Sequence, residues 1–205
     1  GRQSLADIEF LDLDRPVFIE SKLENCVPCR SSDEASARYM TMGRRMYVEE
    51  VRYLDYCVGE FLQDLKARGL YQDSLIVFLS DHGESLWDHY DHFGHGGKNH
   101  HDELTKVPLI VKPPGRTLAS SGTTVATDVR VFDVMPTILE LVGAFAAQDL
   151  EAHSLVPMMR DPTGTRDDAP IISTNDRASA VRHWPWRYVR SLLPHSTEEL
   201  LFNLE

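Results

Sequence analysis

The chain has 205 residues, of which 42% are hydrophobic and 26% are charged, and its formal net charge is −11. These values are typical of a globular protein and exclude disordered and collagen-like classes. The negative charge argues against a nucleic-acid partner, because phosphate backbones are bound by concentrated Lys and Arg. No apolar run approaches the ~18–20 residues that a membrane span needs. We therefore expect neither a nucleic-acid surface nor a membrane span.

The ends and the cysteines of the chain say little about its compartment. The sequence begins at Gly1 without an initiator Met, so we expect a fragment or a processed product. Its three cysteines are too few for a disulfide scaffold. The localisation is therefore unknown from composition alone.

Apolar periodicity predicts the elements of the first two thirds of the chain. A short helix is expected over residues 6–13 and a short strand over 17–19. Apolar residues at steps of three and four predict a long helix over 36–68. The continuous apolar run 74–79 predicts a strand covered on both faces, as in α/β sheets, and 107–111 predicts a second strand.

The last third of the sequence has a different pattern of apolar residues. A helix is expected over residues 129–142, with Pro136 as a kink. Four short β-type segments then predict a small antiparallel sheet, at residues 171–173, 180–183, 187–192 and 200–204. The expected architecture is an α/β domain over residues 1–150, followed by a smaller C-terminal antiparallel-sheet subdomain (α+β) over 151–205.

Metal-capable side chains are concentrated directly after the predicted strand 74–79. In open α/β sheets, ligands gather at the carboxyl ends of strands. Asp81 and His82 place a carboxylate beside an imidazole, and Gly83 permits a close approach. We expect a divalent metal here, with Lys98 and a histidine contacting an anionic group or protonating a leaving oxygen. The alternative is a solvated polar loop whose six histidines never meet: His82, His89, His92, His95, His100 and His101.

Five parts of the chain also occur in an order that is typical of one enzyme family. They are a helix pattern at 47–65, SDHGE at 80–84 with FGHG at 93–96, VPLIV-K-PPG at 107–115, RVFDVMPTIL at 130–139, and RYV…ELLFNL at 187–204. Together they resemble the sulfatase family of the alkaline-phosphatase superfamily, in its C-terminal portion.

The resemblance implies a partial alkaline-phosphatase-like sheet flanked by helices, and sulfuric-ester hydrolysis. Asp81 and His82 match half of a divalent-metal site, usually calcium, although an imidazole ligand also suits manganese or zinc. His95 and Lys98 match residues that contact the sulfate and assist the leaving alcohol. The implied partner is a small-molecule or carbohydrate sulfate ester, and the implied nucleophile is a formylglycine in a missing N-terminal part. Family members are often periplasmic, secreted or lysosomal.

The sequence departs from the family's pattern near its start. Cys26 opens a Cys-x-Pro-x-Arg string, the context in which formylglycine is made, but its surroundings and its position do not match. We interpret Cys26 and Cys29 as ordinary loop cysteines, with a redox or metal-binding pair as the alternative. Cys57 is predicted to be a small core residue. Because the family's N-terminal Asp pair is not matched, we expect little turnover by this chain alone, and possible self-association.

Two further functions stay open from sequence. Superfamily relatives that act on phosphorus carry the same Asp-His-Gly-Glu string. They are a phosphonate monoester hydrolase, a phosphodiesterase or a phosphoethanolamine transferase. A truncated module that binds a metal or a partner without chemistry is the non-enzymatic alternative.

Overall fold

The computed structural model describes residues 34–88, 93–95, 100–115, 122–144, 151–162, 169–193 and 196–205. The described residues form two compact units, one of residues 34–57, 84–88 and 93–95 and the other of the remainder. The helix and strand expected before residue 20 lie outside these ranges. The domain division predicted at residue 150 stays a prediction.

The elements run in chain order as helices α1 to α4 and strands β1 to β8. They are α1 (Glu34–Ala67), β1 (Ile76–Leu79), β2 (Ser85–Leu86), β3 (Phe93–Gly94), α2 (Asp102–Thr105), β4 (Leu109–Lys112), a 3-10 turn (Val131–Asp133), α3 (Val134–Leu141), α4 (Val156–Arg160), β5 (Ile171–Thr174), β6 (Ala178–His183), β7 (Trp186–Leu193) and β8 (Ser196–Asn203). None of the helices in the described ranges is long and apolar enough to cross a bilayer.

The long helix expected from periodicity is confirmed as α1, which spans 34 residues. It ends just before Gly69, whose φ of +70° is a conformation that glycine adopts without strain. The apolar stripe of α1 is largely exposed, at Tyr47, Val51 and Phe61 among others. The prediction that Cys57 is a core residue is wrong, because this part of α1 is exposed along with it.

In the first unit, the hairpin of β2 and β3 packs on the N-terminal part of α1. Trp87 is buried and stacks on Phe93, with ring centroids 4.5 Å apart. Gly43 of α1 leaves room for the indole, since a Cβ there would lie 2.7 Å from the Trp87 ring. Arg44 donates from Nε to the Leu86 carbonyl at 2.9 Å and from Nη2 to the Trp87 carbonyl at 3.3 Å. These contacts anchor the hairpin to the helix.

In the second unit, β1 and β4 form an antiparallel pair in which Leu79 lies opposite Leu109. Lys112 stabilises the segment that precedes β1. Its Nζ donates to the carbonyl oxygens of Gln72 and Ser74, at 2.8 and 2.9 Å. The prediction of a strand covered on both faces is wrong for the described chain, because Leu79 is 37% exposed. Within the described ranges the two strands have only each other as sheet neighbours, so their faces are partly open.

The helix expected over 129–142 begins later than its apolar pattern suggests. A 3-10 turn comes first, and α3 itself starts at Val134. Pro136 therefore lies in the first turn of α3, where a backbone N–H has no intrahelical acceptor, and it does not act as the expected kink.

The predicted C-terminal antiparallel sheet is confirmed, with strand order β5-β6-β7-β8. Alternate residues of β7 are buried, and they face the small side chains of β6: Ala180 lies opposite Val189, and Ala178 lies opposite Ser191. The period of two explains why short β-type segments were recognisable in the sequence. The described chain is thus an α+β structure, the class that the sequence predicted for its C-terminal part.

Asp133, at the end of the 3-10 turn, is fully buried. Its carboxylate accepts hydrogen bonds from the Arg130 backbone N (3.1 Å), Arg130 Nε (3.2 Å), Arg130 Nη2 (2.9 Å) and the His153 N (3.0 Å). We expect Asp133→Ala to lower the free energy of unfolding by about 3–5 kcal/mol, because it leaves a part-buried guanidinium without its carboxylate. Urea unfolding measures the loss.

The matched control is Asp176→Ala, since Asp176 is an exposed carboxylate whose nearest ion-pair contact, with Arg177, is 3.8 Å long. This variant is expected to stay within about 0.5 kcal/mol of the parent. Equal losses of unfolding free energy in the two variants would show that the buried Asp133 carboxylate stabilises the fold no more than an exposed carboxylate does.

Candidate metal centre

The turn after β1 brings the predicted Asp81–His82 pair together. Asp81 Oδ2 lies 3.6 Å from His82 Nε2, and Asp81 Oδ1 accepts a hydrogen bond from the His82 backbone N at 3.0 Å. Ser80 Oγ donates to the His82 carbonyl oxygen at 2.6 Å, which tightens the turn. The two side chains are 86% and 46% exposed. Both side chains are therefore accessible from solvent.

The ring of His82 has a defined orientation. Its Nδ1 lies 2.9 Å from the Gly83 carbonyl oxygen, an acceptor, so the proton is on Nδ1. The neutral ring then carries its lone pair on Nε2, the nitrogen that faces Asp81. A backbone acceptor that fixes the tautomer in this way is typical of metal-binding histidines.

Gly83 holds the turn against α2. Its backbone N donates to the Leu104 carbonyl oxygen at 2.8 Å. A Cβ on residue 83 would lie 1.9 Å from the Glu103 carbonyl oxygen, far inside contact distance. The sequence analysis expected glycine to permit a close approach here, and the contact is one of backbone with backbone.

Glu84 and His95 form a pair in the first unit. Glu84 Oε2 lies 3.2 Å from His95 Nδ1, and each side chain presents an atom that can bind a metal. Glu84 is 19% exposed, and its buried Oε1 has no hydrogen-bond partner among the residues that the structure describes. A buried carboxylate oxygen without a donor is costly, and a cation would satisfy it.

Two of the described histidines in this stretch, His100 and His101, contact the C-terminal sheet. His100 is buried, with Nδ1 2.8 Å from Ser173 Oγ on β5. His101 packs edge-on to the Phe202 ring of β8, with centroids 5.3 Å apart. These two histidines serve the contact with the C-terminal sheet. His89 and His92 lie outside the described residues.

An ion-pair network continues that contact. Asp102 Oδ1 accepts from Arg182 Nη1 at 2.8 Å and also from Arg187 Nη2, and Arg182 Nε donates to Asp128 Oδ2 at 2.8 Å. Arg187 is buried, and burial lowers the pKa of its guanidinium. Two arginines of the sheet are therefore balanced by two carboxylates.

His100 has a lowered pKa in this surrounding. Burial is the main cause, and the positive charge of Arg187 acts in the same direction. A hydrogen bond to the Ala178 backbone opposes them. His100 is therefore held as a neutral ring at neutral pH, which suits a structural role.

The predicted site residues have different outcomes. Asp81 and His82 lie in one turn, and His95 is paired with Glu84. Lys98, Cys26 and Cys29 lie outside the described residues. The sequence assigns His95 a catalytic role and leaves Glu84 open between a partner of the metal ligands and a loop cap. It does not predict that the two side chains pair.

Comparison with known proteins points to one family. A family model described as Sulfatase matches residues 28–144. The multifunctional alkaline phosphatase superfamily protein PehA of Trinickia caryophylli is 34% identical over 129 residues, or 63% of this chain and 24% of that protein. Choline-sulfatase of Rhizobium meliloti is 30% identical over 171 residues, covering 79% of this chain and 31% of the relative.

A solved structure shows the same fold. The structure of BT4656 in complex with its substrate D-glucosamine-2-N,6-O-disulfate superposes with a TM-score of 0.72 at 19% identity, over 85% of this chain and 36% of that one. The chain thus spans about a quarter to a third of the length of these curated relatives.

The tight approach at Gly83 generates a first prediction for this site. Gly83→Ala should displace the turn and lower both the stability and the affinity for a divalent ion, because the new methyl group overlaps the Glu103 carbonyl. Urea unfolding and metal titration measure the two effects.

Gly59→Ala in α1 is the matched control. A Cβ at residue 59 meets nothing within 4 Å, so this variant should gain up to about 1 kcal/mol through helix propensity. If Gly83→Ala behaved like Gly59→Ala, the turn would not depend on the close approach.

The lowered pKa of His100 predicts a pH dependence of stability. The unfolded chain binds the proton near the ordinary His pKa of about 6.5, whereas the folded chain binds it only at lower pH. The contribution of the neutral ring is therefore complete above about pH 6.5 and is lost as the pH falls below it. His100→Gln should flatten the dependence of urea unfolding between pH 7.5 and pH 5.

The control is His183→Gln, at the exposed end of β6. It should retain the slope of the parent over the same pH range. A His100→Gln variant that kept the full slope would show that another group causes the loss.

Proposed function

The chain belongs to the sulfatase family, and on that premise we propose that it forms part of a metal-dependent sulfuric-ester hydrolase. The family implies a divalent metal. The observation that carries the proposal is the turn after β1, where Asp81 and His82 present a carboxylate oxygen and an imidazole nitrogen 3.6 Å apart. We also propose that the nucleophile of the whole enzyme is a formylglycine.

The residues present fit a divalent cation. His82 is set up as an Nε2 ligand by its hydrogen bond to Gly83. Glu84, whose buried carboxylate oxygen has no hydrogen-bond donor among the described residues, binds His95 and holds that ring. We propose that Asp81 and His82 hold the ion.

The donor set bears on which ion is bound. Calcium prefers six to eight oxygen ligands, and calcium is the usual ion of the family. An imidazole ligand such as His82 is better suited to manganese or zinc. We propose calcium for the whole enzyme, with manganese or zinc as the alternative that His82 favours.

The bound cation supplies charge stabilisation to an ester oxygen and to its leaving group. The residues of the chain supply the rest. Asp81 supplies a carboxylate for the positive charge, and the His95 ring, held through Nδ1 by Glu84, offers a proton-carrying group. We propose that His95 assists the leaving alcohol and that Lys98 contacts the sulfate.

We propose that the substrate is a small-molecule or carbohydrate sulfate ester. The solved relative in complex with a disulfated glucosamine supports the carbohydrate form of this proposal. Self-association of the isolated chain, expected from the sequence, stays a prediction.

A second candidate is an enzyme that cleaves phosphorus esters. It is favoured by the imidazole of His82 and by the likeness to a protein described as a multifunctional member of the alkaline phosphatase superfamily. The two functions differ in the ester they cleave, and one assay separates them.

The test uses the full-length natural protein, stripped of metal and reloaded with calcium, manganese or zinc. 4-Nitrophenyl sulfate and bis(4-nitrophenyl) phosphate are compared as substrates. We expect the sulfate to be cleaved faster. Asp81→Asn and His82→Gln should each lower the bound metal and reduce kcat/KM by about 100-fold or more, because ligand loss exceeds the 10–100-fold effect typical of residues behind a ligand.

Asp176→Asn is the control, since this exposed carboxylate lies in the turn between β5 and β6. It should leave both the metal content and the rate unchanged. Full metal content in Asp81→Asn and His82→Gln would contradict the proposed ligands, and a faster reaction on the phosphate would favour the second candidate.

A further inference from the structure

A cavity of about 440 Å3 lies in the second unit, and its lining does not include Asp81 or His82. It is lined in part by Lys106, Asp128, Arg130, Arg182 and Trp184. Its volume falls within the range of small-molecule sites.

The cations around this cavity differ in whether a described carboxylate binds them. Arg182 is bound by Asp128 and Asp102, and Arg130 is bound by Asp133. No carboxylate of the described residues forms an ion pair with Lys106, which is exposed. An anion that binds the ammonium group of Lys106 therefore competes with none of the carboxylates that the structure describes.

Trp184 supplies an apolar surface beside the cavity. This residue lies in the turn between β6 and β7 and is 57% exposed. An indole that is open to solvent beside a cavity offers a flat face for an aryl or saccharide ring. The arginine ion pairs hold the end of β6 that carries this turn.

The backbone places this cavity close to the proposed metal centre. The antiparallel register of β1 and β4 puts the turn after Leu79 and the segment before Leu109 at the same end of the strand pair. Lys106 belongs to that segment and lies two residues after Leu104, the residue that accepts the hydrogen bond from Gly83.

We propose that this cavity is a subsite for an acidic group on an aryl or saccharide ring, with Lys106 binding the acidic group and Trp184 the ring. As a substrate subsite it rests on the proposed function. It would select substrates that carry a second acidic group in addition to the ester that is cleaved.

The binding test uses 2-naphthalenesulfonate, which has a ring and one anionic group but no ester to hydrolyse. It is titrated calorimetrically into the full-length natural protein with EDTA present, so that the metal centre is not occupied. Lys106→Gln and Trp184→Ala should each weaken binding about three- to tenfold, the effect of losing one partly exposed contact. The uncharged 2-naphthalenesulfonamide should bind more weakly than the sulfonate.

Two controls locate the binding. Lys66→Gln makes the same substitution at the end of α1 and should leave the affinity unchanged. Asp81→Asn should also leave it unchanged, because the probe does not need the metal. Absence of binding, or equal affinity in the parent and in Lys106→Gln, overturns the proposal, as does loss of binding in Asp81→Asn alone.

The activity test separates this proposal from the proposed function. Lys106→Gln should raise KM for the sulfate ester of 4-hydroxy-3-nitrobenzoate, which carries a carboxylate, and leave KM for 2-nitrophenyl sulfate unchanged. Equal effects on both esters would contradict the subsite. Intact binding of the sulfonate by a protein that cleaves neither ester would contradict the hydrolase and not the cavity.

Discussion

The backbone contact between Gly83 and α2 is the constraint on which the second unit depends. It fixes the turn of Asp81 and His82 against a helix of only four residues, through one hydrogen bond to Leu104 and an approach that no side chain at residue 83 would permit. A helix this short has little stability of its own, because nucleation is costly. It persists because its residues are bound from outside the helix.

The external contacts of α2 come from the C-terminal sheet. Asp102 receives two arginines of that sheet, and the preceding His100 and His101 contact Ser173 and Phe202. The small sheet therefore acts as a support for the turn that bears the proposed ligands, rather than as an appendage. Its arginines are satisfied by carboxylates, which offsets the free energy needed to bury a charge such as that of Arg187.

The sequence predicted the parts that depend on local pattern. Helix α1 and the four C-terminal strands follow from periods of 3.6 and two, and the Asp81–His82 pair follows from its position after β1. The roles of His100 and Glu84 depend on which partner each side chain meets, and residue spacing carries no such information. Pro136 was misplaced because an apolar pattern does not reveal where a 3-10 turn ends and a helix begins.

The solvent exposure of Asp81 and Glu84 determines how much each carboxylate depends on a partner in the protein. Asp81 is largely solvated, so its carboxylate needs no counter-ion for the fold to form. Glu84 is mostly buried, and within the described residues one of its oxygens has no hydrogen-bond donor, so its desolvation is only partly offset by His95. The two carboxylates therefore differ in what the fold supplies, since Asp81 is satisfied by water whereas Glu84 depends on His95.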